Sequence, residues 1–228
     1  MKKLSPPLGL LRKSIDIFFT KENFVYFLKL MLIFLAATFL AIAGSFVLSR
    51  LAFPTFSKGG ENFLSPPLGI VAIFILFLFF LAVWAGPVIY ESVFRVVEKG
   101  ALDLEETIVS GWKKAWKFFL VSFVLLLLIN LGFVLVIIPG IILGVWFSFS
   151  QFIAISEGLG AKESLAKSRA LVKGYFFPIL GRLLVFMLVF MLIEIILSLI
   201  PFFGSLATVL LGPFFILPSY LLYKELST

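Results

Sequence analysis

Six long apolar segments constrain this 228-residue chain more than any other feature of its sequence. They are Phe24–Ser49, Leu68 to about Tyr90, Phe118–Ile138, Gly140–Ser156, Pro178–Ile200 and Phe202–Tyr223. A helix of about 20 residues crosses the roughly 30 Å hydrocarbon core of a bilayer, and an isolated strand cannot satisfy its backbone there. Hydrophobic residues make up 62% of the chain and charged residues 14%, against about half and about a quarter in a soluble domain. The sequence therefore predicts an all-α integral membrane protein: one domain, 1–228, with six transmembrane helices.

The residue types that are missing exclude several kinds of chemistry. The chain has no Cys and no His, which excludes disulfides, Cys/His zinc sites, haem ligation by His and His-based catalytic triads. No nucleophile–base pair or paired-carboxylate site is visible. We therefore expect no enzyme activity, no cofactor and no metal. The net charge of +7 indicates contact with anionic lipid headgroups rather than nucleic acid.

The distribution of Lys and Arg predicts the topology. Seventeen of the 19 lie in the N-terminal arm, the segments after the second and fourth apolar runs, and the tail. Only Arg50 and Lys58 lie in the loops on the other side, which follow the first, third and fifth apolar segments. By the positive-inside rule both termini are cytoplasmic and all six segments cross. In an alternative, the short segment Gly140–Ser156 is a re-entrant loop, which would put the basic cluster at 162–173 outside. A cleaved signal peptide, with Ala41–Ala43 as its site, is the competing interpretation of the first segment, but the apolar stretch continues beyond it.

Each odd-numbered span is preceded by an apolar stripe at helical spacing, opposite basic residues. These patterns predict three interfacial helices on the inner leaflet. Their stripes are Leu8, Leu11, Ile15 and Phe18; Leu104, Ile108, Trp112, Ala115 and Phe119; and Ala161, Leu165, Ser168 and Val172. The basic residues predicted to contact lipid headgroups are Lys113, Lys114, Lys117, Lys162, Arg169 and Lys173.

Recurring spacings suggest an internal repeat of surface helix, span, tight turn and span. Ile138-Pro139 recurs 62 residues later, Ser110 recurs 58 later as Ser168, and Glu98 recurs 59 later as Glu157. The repeat units would be about 5–97, 98–156 and 157–223. The alternative is that any six-span protein with cytoplasmic charges shows a similar pattern.

One stretch resembles a known family. Its residues are Ile138-Pro139-Gly140-Ile141-Ile142-Leu143, Phe147, Glu157-Gly158, Glu163-Ser164-Leu165, Ser168, Leu171-Val172-Lys173-Gly174 and Phe177. The pattern resembles the membrane domain of bacterial glycerophosphoryl diester phosphodiesterases and related six-span proteins. The resemblance implies an all-helical domain of a prokaryotic inner membrane. It does not imply phosphodiesterase activity, which belongs to a separate soluble domain with His and metal-binding carboxylates.

Four polar residues within the predicted spans are candidates for a functional role: Asn130, Gln151, Arg182 and Glu194. For Glu194, a proton or ion relay competes with an interhelical hydrogen bond or a place in a shallow outer cavity. Arg182 suits headgroup anchoring or a structural contact. Asn130 and Gln151 favour interhelical hydrogen bonds over ligand binding.

Prolines and glycines mark predicted interruptions of the spans. Pro87 and Pro213, each after a Gly, should kink the second and sixth spans, while Pro139, Gly140 and Pro201 should reverse the chain outside. The function favoured by these features is a non-catalytic membrane protein that binds or organises phospholipid or partner proteins, including a second copy of itself. The alternative is a small lipid or solute transporter built on the kinked spans.

Overall fold

The computed structural model describes residues 4–52, 83–100, 102–135, 137–200 and 203–228. Helix is the only regular structure in these ranges, as the sequence predicts. The helices are α1 (Pro7–Phe18), α2 (Lys21–Ala52), α3 (83–98), α4 (Leu104–Leu135), α5 (Ile137–Trp146), α6 (Ser150–Ser156), α7 (Ala161–Val172), α8 (Phe176–Ser198), α9 (Phe203–Leu210) and α10 (Gly212–Ser227).

Five stretches of the described chain are long and apolar enough to cross a membrane. They are Lys21–Gly44, Leu104–Val134, Ile137–Ser156, Phe176–Ser198 and Leu206–Ser227. The predicted segment from Leu68 to about Tyr90 falls mainly on residues 53–82, outside the described ranges. Large apolar side chains cover the outer surface of α8, among them Met187, Leu192 and Ile196. A helix that is apolar on its exposed side suits lipid rather than water.

Helices α4 and α5 form a tight hairpin that differs from the predicted turn. Helix α4 ends at Leu135 and α5 begins at Ile137, so Pro139 and Gly140 lie in the first turn of α5 rather than between the two helices. A proline is tolerated there because the first-turn N–H groups have no partner within the helix. The two backbones touch: a methyl carbon added to Gly132 would lie 2.9 Å from Cα of Gly140. Pro201 lies outside the described residues.

Two of the five apolar stretches are interrupted. One breaks between α5 and α6, at residues 147–149, and the other between α9 and α10, at Leu211. The second break coincides with the interruption predicted at Pro213, which lies in the first turn of α10. The helical backbone of α3 continues through Pro87, and a kink at this proline stays a prediction.

The first and third predicted interfacial helices correspond to α1 and α7, but both pack against the bundle. In α1 the predicted stripe divides: Leu11 and Phe18 are buried, whereas Leu8 and Ile15 are exposed. The buried side of α1 lies on α10, and α7 packs on α6 and α4. Packing against neighbouring helices, which the sequence pattern does not specify, decides which apolar side chains are covered.

The second predicted interfacial helix is not separate from its span. Helix α4 runs unbroken over 32 residues, or about 48 Å at about 1.5 Å per residue. Its first turns therefore project along the axis of the span instead of lying flat. The buried face shares only Ala115 with the predicted stripe: Thr107 and Phe118 are also buried, whereas Trp112 is 51% exposed.

Both chain ends lie at one end of the bundle. The Ser5 N–H donates to Oε2 of Glu225 over 3.1 Å, and the Ser5 hydroxyl donates to Oε1 of the same carboxylate. Aromatic side chains from several helices pack beneath these ends; they include Phe18, Phe27, Phe152, Phe214, Tyr220 and Tyr223. We call this end, which carries α1, α7 and both termini, the polar end.

Candidate functional site

A buried ionic network joins α3 to α4 at the polar end. Glu91 is 1% exposed and Arg95 is 3% exposed. The Glu91 carboxylate accepts from Nε of Arg95 at 2.9 Å, Oγ of Ser110 at 2.8 Å and Nζ of Lys114 at 2.7 Å. Such bonds to a charged group are stronger than neutral ones. Glu91 is therefore fully engaged within the protein.

Arg95 also reaches the surface through Glu106. Its Nη2 donates to Oε1 of Glu106 at 2.9 Å, while Nη1 lies 2.8 Å from Oε2 without the alignment of a hydrogen bond. The hydrogen bond to Glu106 is the largest cause that raises the pKa of Arg95, and the Glu91 carboxylate adds to it. The guanidinium therefore stays charged despite its burial, and the four charges of the network balance.

A close approach of α3 and α4 makes this network possible. A methyl carbon added to Gly111 would lie 2.7 Å from Cα of Val88, and one added to Gly86 would lie 2.9 Å from the Phe118 ring. Next to this contact, the hydroxyls of Tyr26 and Thr107 are 2.7 Å apart, which links α2 to α4. Small residues at the contact thus bring the charged side chains within reach of one another.

A second polar layer lies where α10 meets the ends of α3 and α6. Tyr220 donates to Glu98 at 3.1 Å, and Nζ of Lys224 lies 3.0 Å from the same carboxylate. Tyr223 donates to Glu157 at 3.2 Å, and Lys167 of α7 pairs with that carboxylate at 2.5 Å. Glu98 and Glu157, which the sequence matches as repeat positions, thus contact neighbouring tyrosines of α10. This likeness does not by itself test the predicted repeat.

Arg182 joins α8 to the N-terminal arm. Its Nε donates to the carbonyl of Ser5 at 2.8 Å, its Nη2 to that of Leu4 at 2.9 Å, and its Nη1 to that of Pro178 at 2.7 Å. A guanidinium presents five N–H donors in a planar fork, which suits several carbonyl oxygens at once. Arg182 thus makes a structural contact, while headgroup anchoring stays a prediction.

The break between α5 and α6 is bridged by a side chain of α7. Ser168 donates to the carbonyl of Trp146 at 2.8 Å and accepts from the N–H of Phe149 at 3.2 Å. Both Ser168 and Phe149 are fully buried. An interrupted helix leaves backbone groups without partners in apolar surroundings, which is costly. Ser168 satisfies one group on each side of this break.

A groove between α5 and α7 contains two of the predicted headgroup contacts. We call it the α7 groove; it has a volume of about 440 Å³ and is lined by Trp146, Ala166, Arg169, Ala170 and Lys173. The Arg169 guanidinium carbon lies 4.3 Å from the centre of the Trp146 indole, a cation–π contact. Neither cation has a carboxylate partner within the described residues. The groove therefore combines positive charge with an aromatic wall, an arrangement that suits an anion attached to an apolar body.

Of the other four lysines predicted to contact headgroups, two have acceptors within the protein and two are exposed. Lys114 pairs with Glu91, and Lys117 donates to the carbonyl of Gly158 at 2.6 Å. These two ammonium groups have acceptors within the protein, and their contact with lipid headgroups stays a prediction. Lys113 and Lys162 are exposed, and Lys162 does not line the α7 groove.

The polar residues inside the apolar stretches have short-range partners. Thr208 donates to Glu194 at 2.9 Å, an interhelical bond between α8 and α9. Gln151 accepts from Tyr90 at 2.7 Å and donates to Ser122 at 3.0 Å, so it connects three helices as predicted.

Asn130 makes a hydrogen bond within its own helix, and the predicted interhelical bond stays a prediction. Asn130 is exposed, and its amide donates at 2.7 Å to the carbonyl of Leu126 in its own helix. A side-chain amide can bond to the carbonyl one turn before it without any partner helix.

Sequence reasoning missed Glu91 and Arg95. Their spacing of four residues, repeated by Ser110 and Lys114 on the next helix, is the signal that could have paired them. Within the described ranges, no cluster of three acidic side chains is arranged to hold a metal ion.

Comparison with known proteins adds no assignment for these residues. No family model matches the chain, and no curated protein or solved structure matches it.

Proposed function

We propose that this protein is a non-catalytic component of a prokaryotic inner membrane that binds anionic phospholipid through the α7 groove. The polar end would face the cytoplasm, because Lys and Arg concentrate there. The lipid phosphate would contact Arg169 and Lys173, and the apolar part of the lipid would lie against Trp146. The observation that carries this proposal is a pair of cations beside an indole, neither of them paired with a carboxylate of the described residues.

Local electrostatics support an anionic ligand. The nearby carboxylates have other partners, since Glu157 pairs with Lys167 and Glu163 accepts from the N–H of Gly160. Arg169 and Lys173 thus keep their full charge at the groove. Each positive charge near an anionic membrane surface contributes about 1 kcal/mol to binding, and a guanidinium can bind two phosphate oxygens at once.

The position of the groove also supports a lipid ligand. Lys173 lies three residues before the start of α8, whose first turn carries the exposed side chain of Phe177. Basic and aromatic residues side by side are typical of the boundary between headgroups and hydrocarbon. The family resemblance at 138–177 covers the same helices, α5 to α7, that form the groove.

Lipid retention in native mass spectrometry tests the proposal. Purified protein is exchanged into detergent with a fixed amount of phosphatidylglycerol, and bound lipid is counted for Arg169→Gln/Lys173→Gln and for the control Lys162→Gln. Losing two charges of about 1 kcal/mol each predicts affinity about thirtyfold lower in the double variant. The control removes an exposed charge of the same helix outside the groove, so its retention should stay near that of the unaltered protein. Equal loss in both variants, or in neither, contradicts a headgroup site in the α7 groove.

A transporter is the second candidate function, because two of the apolar stretches are interrupted helices. Interrupted helices form substrate sites in many transporters, and Glu194 bonds to Thr208 close to the break at Leu211. The experiment that separates transport from lipid binding is a flux measurement on Glu194→Gln, described among the predictions below.

A further inference from the structure

A second groove lies on the outer side of α3 and α4. We call it the tryptophan groove; it has a volume of about 430 Å³ and is lined by Trp84, Ile108, Val109, Trp112 and Lys113. The indoles of Trp84 and Trp112 meet edge to face with their centres 6.1 Å apart. Apart from the ammonium of Lys113 and the indole nitrogens, these side chains present only carbon. The groove is thus an apolar slot with one positive charge.

The position of the tryptophan groove along α4 follows from its distance to the ionic network. Lys114, the neighbour of Lys113, pairs with the buried carboxylate of Glu91. The tryptophan groove therefore lies level with the polar end, on the side of α4 that faces away from the network. Trp and Lys are the residue types found at the membrane–water boundary.

We propose that the tryptophan groove holds one acyl chain of an anionic phospholipid, with the lipid phosphate on the ammonium of Lys113. The slot and its single charge match the two parts of such a lipid, a hydrocarbon chain and an anionic headgroup. Lys114 and Lys117 have acceptors within the protein, whereas Lys113 is exposed and has no ion pair among the described residues.

Retention of this lipid rests on packing and charge. Lipid tails are as apolar as the groove, so water exclusion alone does not favour the groove over the bilayer. Contact with two rigid indole rings and the phosphate–ammonium pair provide the preference. Because these contacts belong to α3 and α4, the inference concerns a site separate from the α7 groove, and it stands or fails independently of that groove.

Quenching of tryptophan fluorescence by brominated lipid tests this inference, because bromine quenches an indole that it contacts. The reporter variant carries Trp116→Phe and Trp146→Phe and keeps both groove tryptophans. The control variant keeps only Trp116, which is 68% exposed on the same helix and lies outside the groove. Each is titrated in non-ionic detergent with phosphatidylglycerol brominated in its acyl chains. The reporter should show quenching that saturates with a single bound lipid, whereas Trp116 should show only a shallow, non-saturating decrease.

Two substitutions in the reporter variant locate the chain and the headgroup. Val109→Phe fills the groove at a partly exposed position and should abolish the saturating phase, while Val134→Phe, at an exposed position outside the groove, should leave it intact. Lys113→Gln should raise the half-saturating lipid concentration about fivefold, the equivalent of about 1 kcal/mol for one lost phosphate contact.

The outcomes that overturn the inference are distinct from those for the α7 groove. Equal quenching of the reporter and of Trp116 would overturn it, as would a saturating phase that survives Val109→Phe. A saturating phase that disappears as protein concentration rises at a fixed ratio of lipid to protein would overturn it too, since a second copy of the chain would then exclude the lipid from the groove. The substitutions Arg169→Gln/Lys173→Gln, which test the α7 groove, should leave the saturating phase unchanged.

Discussion

Replacing Glu91 by Ala should destabilise the protein by about 3 kcal/mol. Removing one partner of a buried ion pair costs about 3–5 kcal/mol, because the remaining charge is left without compensation. Here Glu91→Ala deprives Arg95 of one carboxylate and Lys114 and Ser110 of their acceptor. Arg95 keeps Glu106, which is 61% exposed and open to water. The loss should therefore fall at the lower end of that range.

Unfolding in mixed micelles measures this loss. The purified protein is titrated with a denaturing anionic detergent, and helix content is followed by far-ultraviolet circular dichroism. The matched control is Lys167→Ala, which removes one partner of the more exposed Glu157–Lys167 pair. Exposed ion pairs contribute about 0–1 kcal/mol. If Glu91→Ala costs no more than the control, the network does not stabilise the contact between α3 and α4.

A double substitution tests whether Glu91 and Arg95 act together. Removing both charges, in Glu91→Leu/Arg95→Met, leaves only Lys114 and Glu106 without their partners, and these side chains are 26% and 61% exposed. Replacing a whole buried ion pair by apolar residues is often neutral or stabilising. The double variant should therefore be more stable than Glu91→Leu alone by more than about 1 kcal/mol. Strictly additive losses would refute the coupling.

Three further changes test other parts of the structure. Ser168→Ala leaves two buried backbone groups unpaired at the α5–α6 break and should cost about 1–3 kcal/mol in the same unfolding titration. Gly111→Ala should destabilise the protein, because the added carbon would lie 2.7 Å from Cα of Val88. Gly144→Ala is its control: open space surrounds that position, so the change should stabilise the protein by about 0.5–1 kcal/mol through helix propensity. Stabilisation by both substitutions would refute the close contact of α3 and α4. If the protein is a transporter, Glu194→Gln should change lipid or solute flux into reconstituted vesicles. If the unaltered protein produces no flux and the substitution changes only stability, transport through this residue is ruled out.

The sequence predicts the helical segments well because their signal is local. About 20 consecutive apolar residues force helix formation in lipid whatever the neighbouring segments do. The interruption at Gly212-Pro213 is also local, since a proline ends the hydrogen-bonding of the preceding helix. The interruption at 147–149 has no proline and depends on Ser168, a residue from another helix. A single segment's sequence does not contain that information.

The ionic network could not be predicted either, because it also depends on contacts between different helices. The sequence pattern places the charges near the span ends in loops. There, lysines indicate which side of the membrane is cytoplasmic, and they are expected to contact lipid headgroups. Whether a lysine faces lipid or protein depends on the rotation of its helix, and Lys113 and Lys114 are adjacent residues with opposite outcomes. An apolar stripe fixes that rotation only when one face is apolar. After Lys117, helix α4 is apolar on nearly all sides, so its close packing at Gly111 fixes the rotation instead.

The break between α5 and α6 also bears on how rigid the α7 groove is. The backbone groups freed at the break need partners, and Ser168 provides them only if α7 stays packed against the break. Arg169 is the next residue, so the position that satisfies the break also sets the guanidinium over Trp146. A phosphate entering the groove would then meet cations already held on a fixed helix, with little loss of conformational entropy on binding. Ser168→Ala should consequently weaken lipid retention as well as stability, although Ser168 does not line the groove.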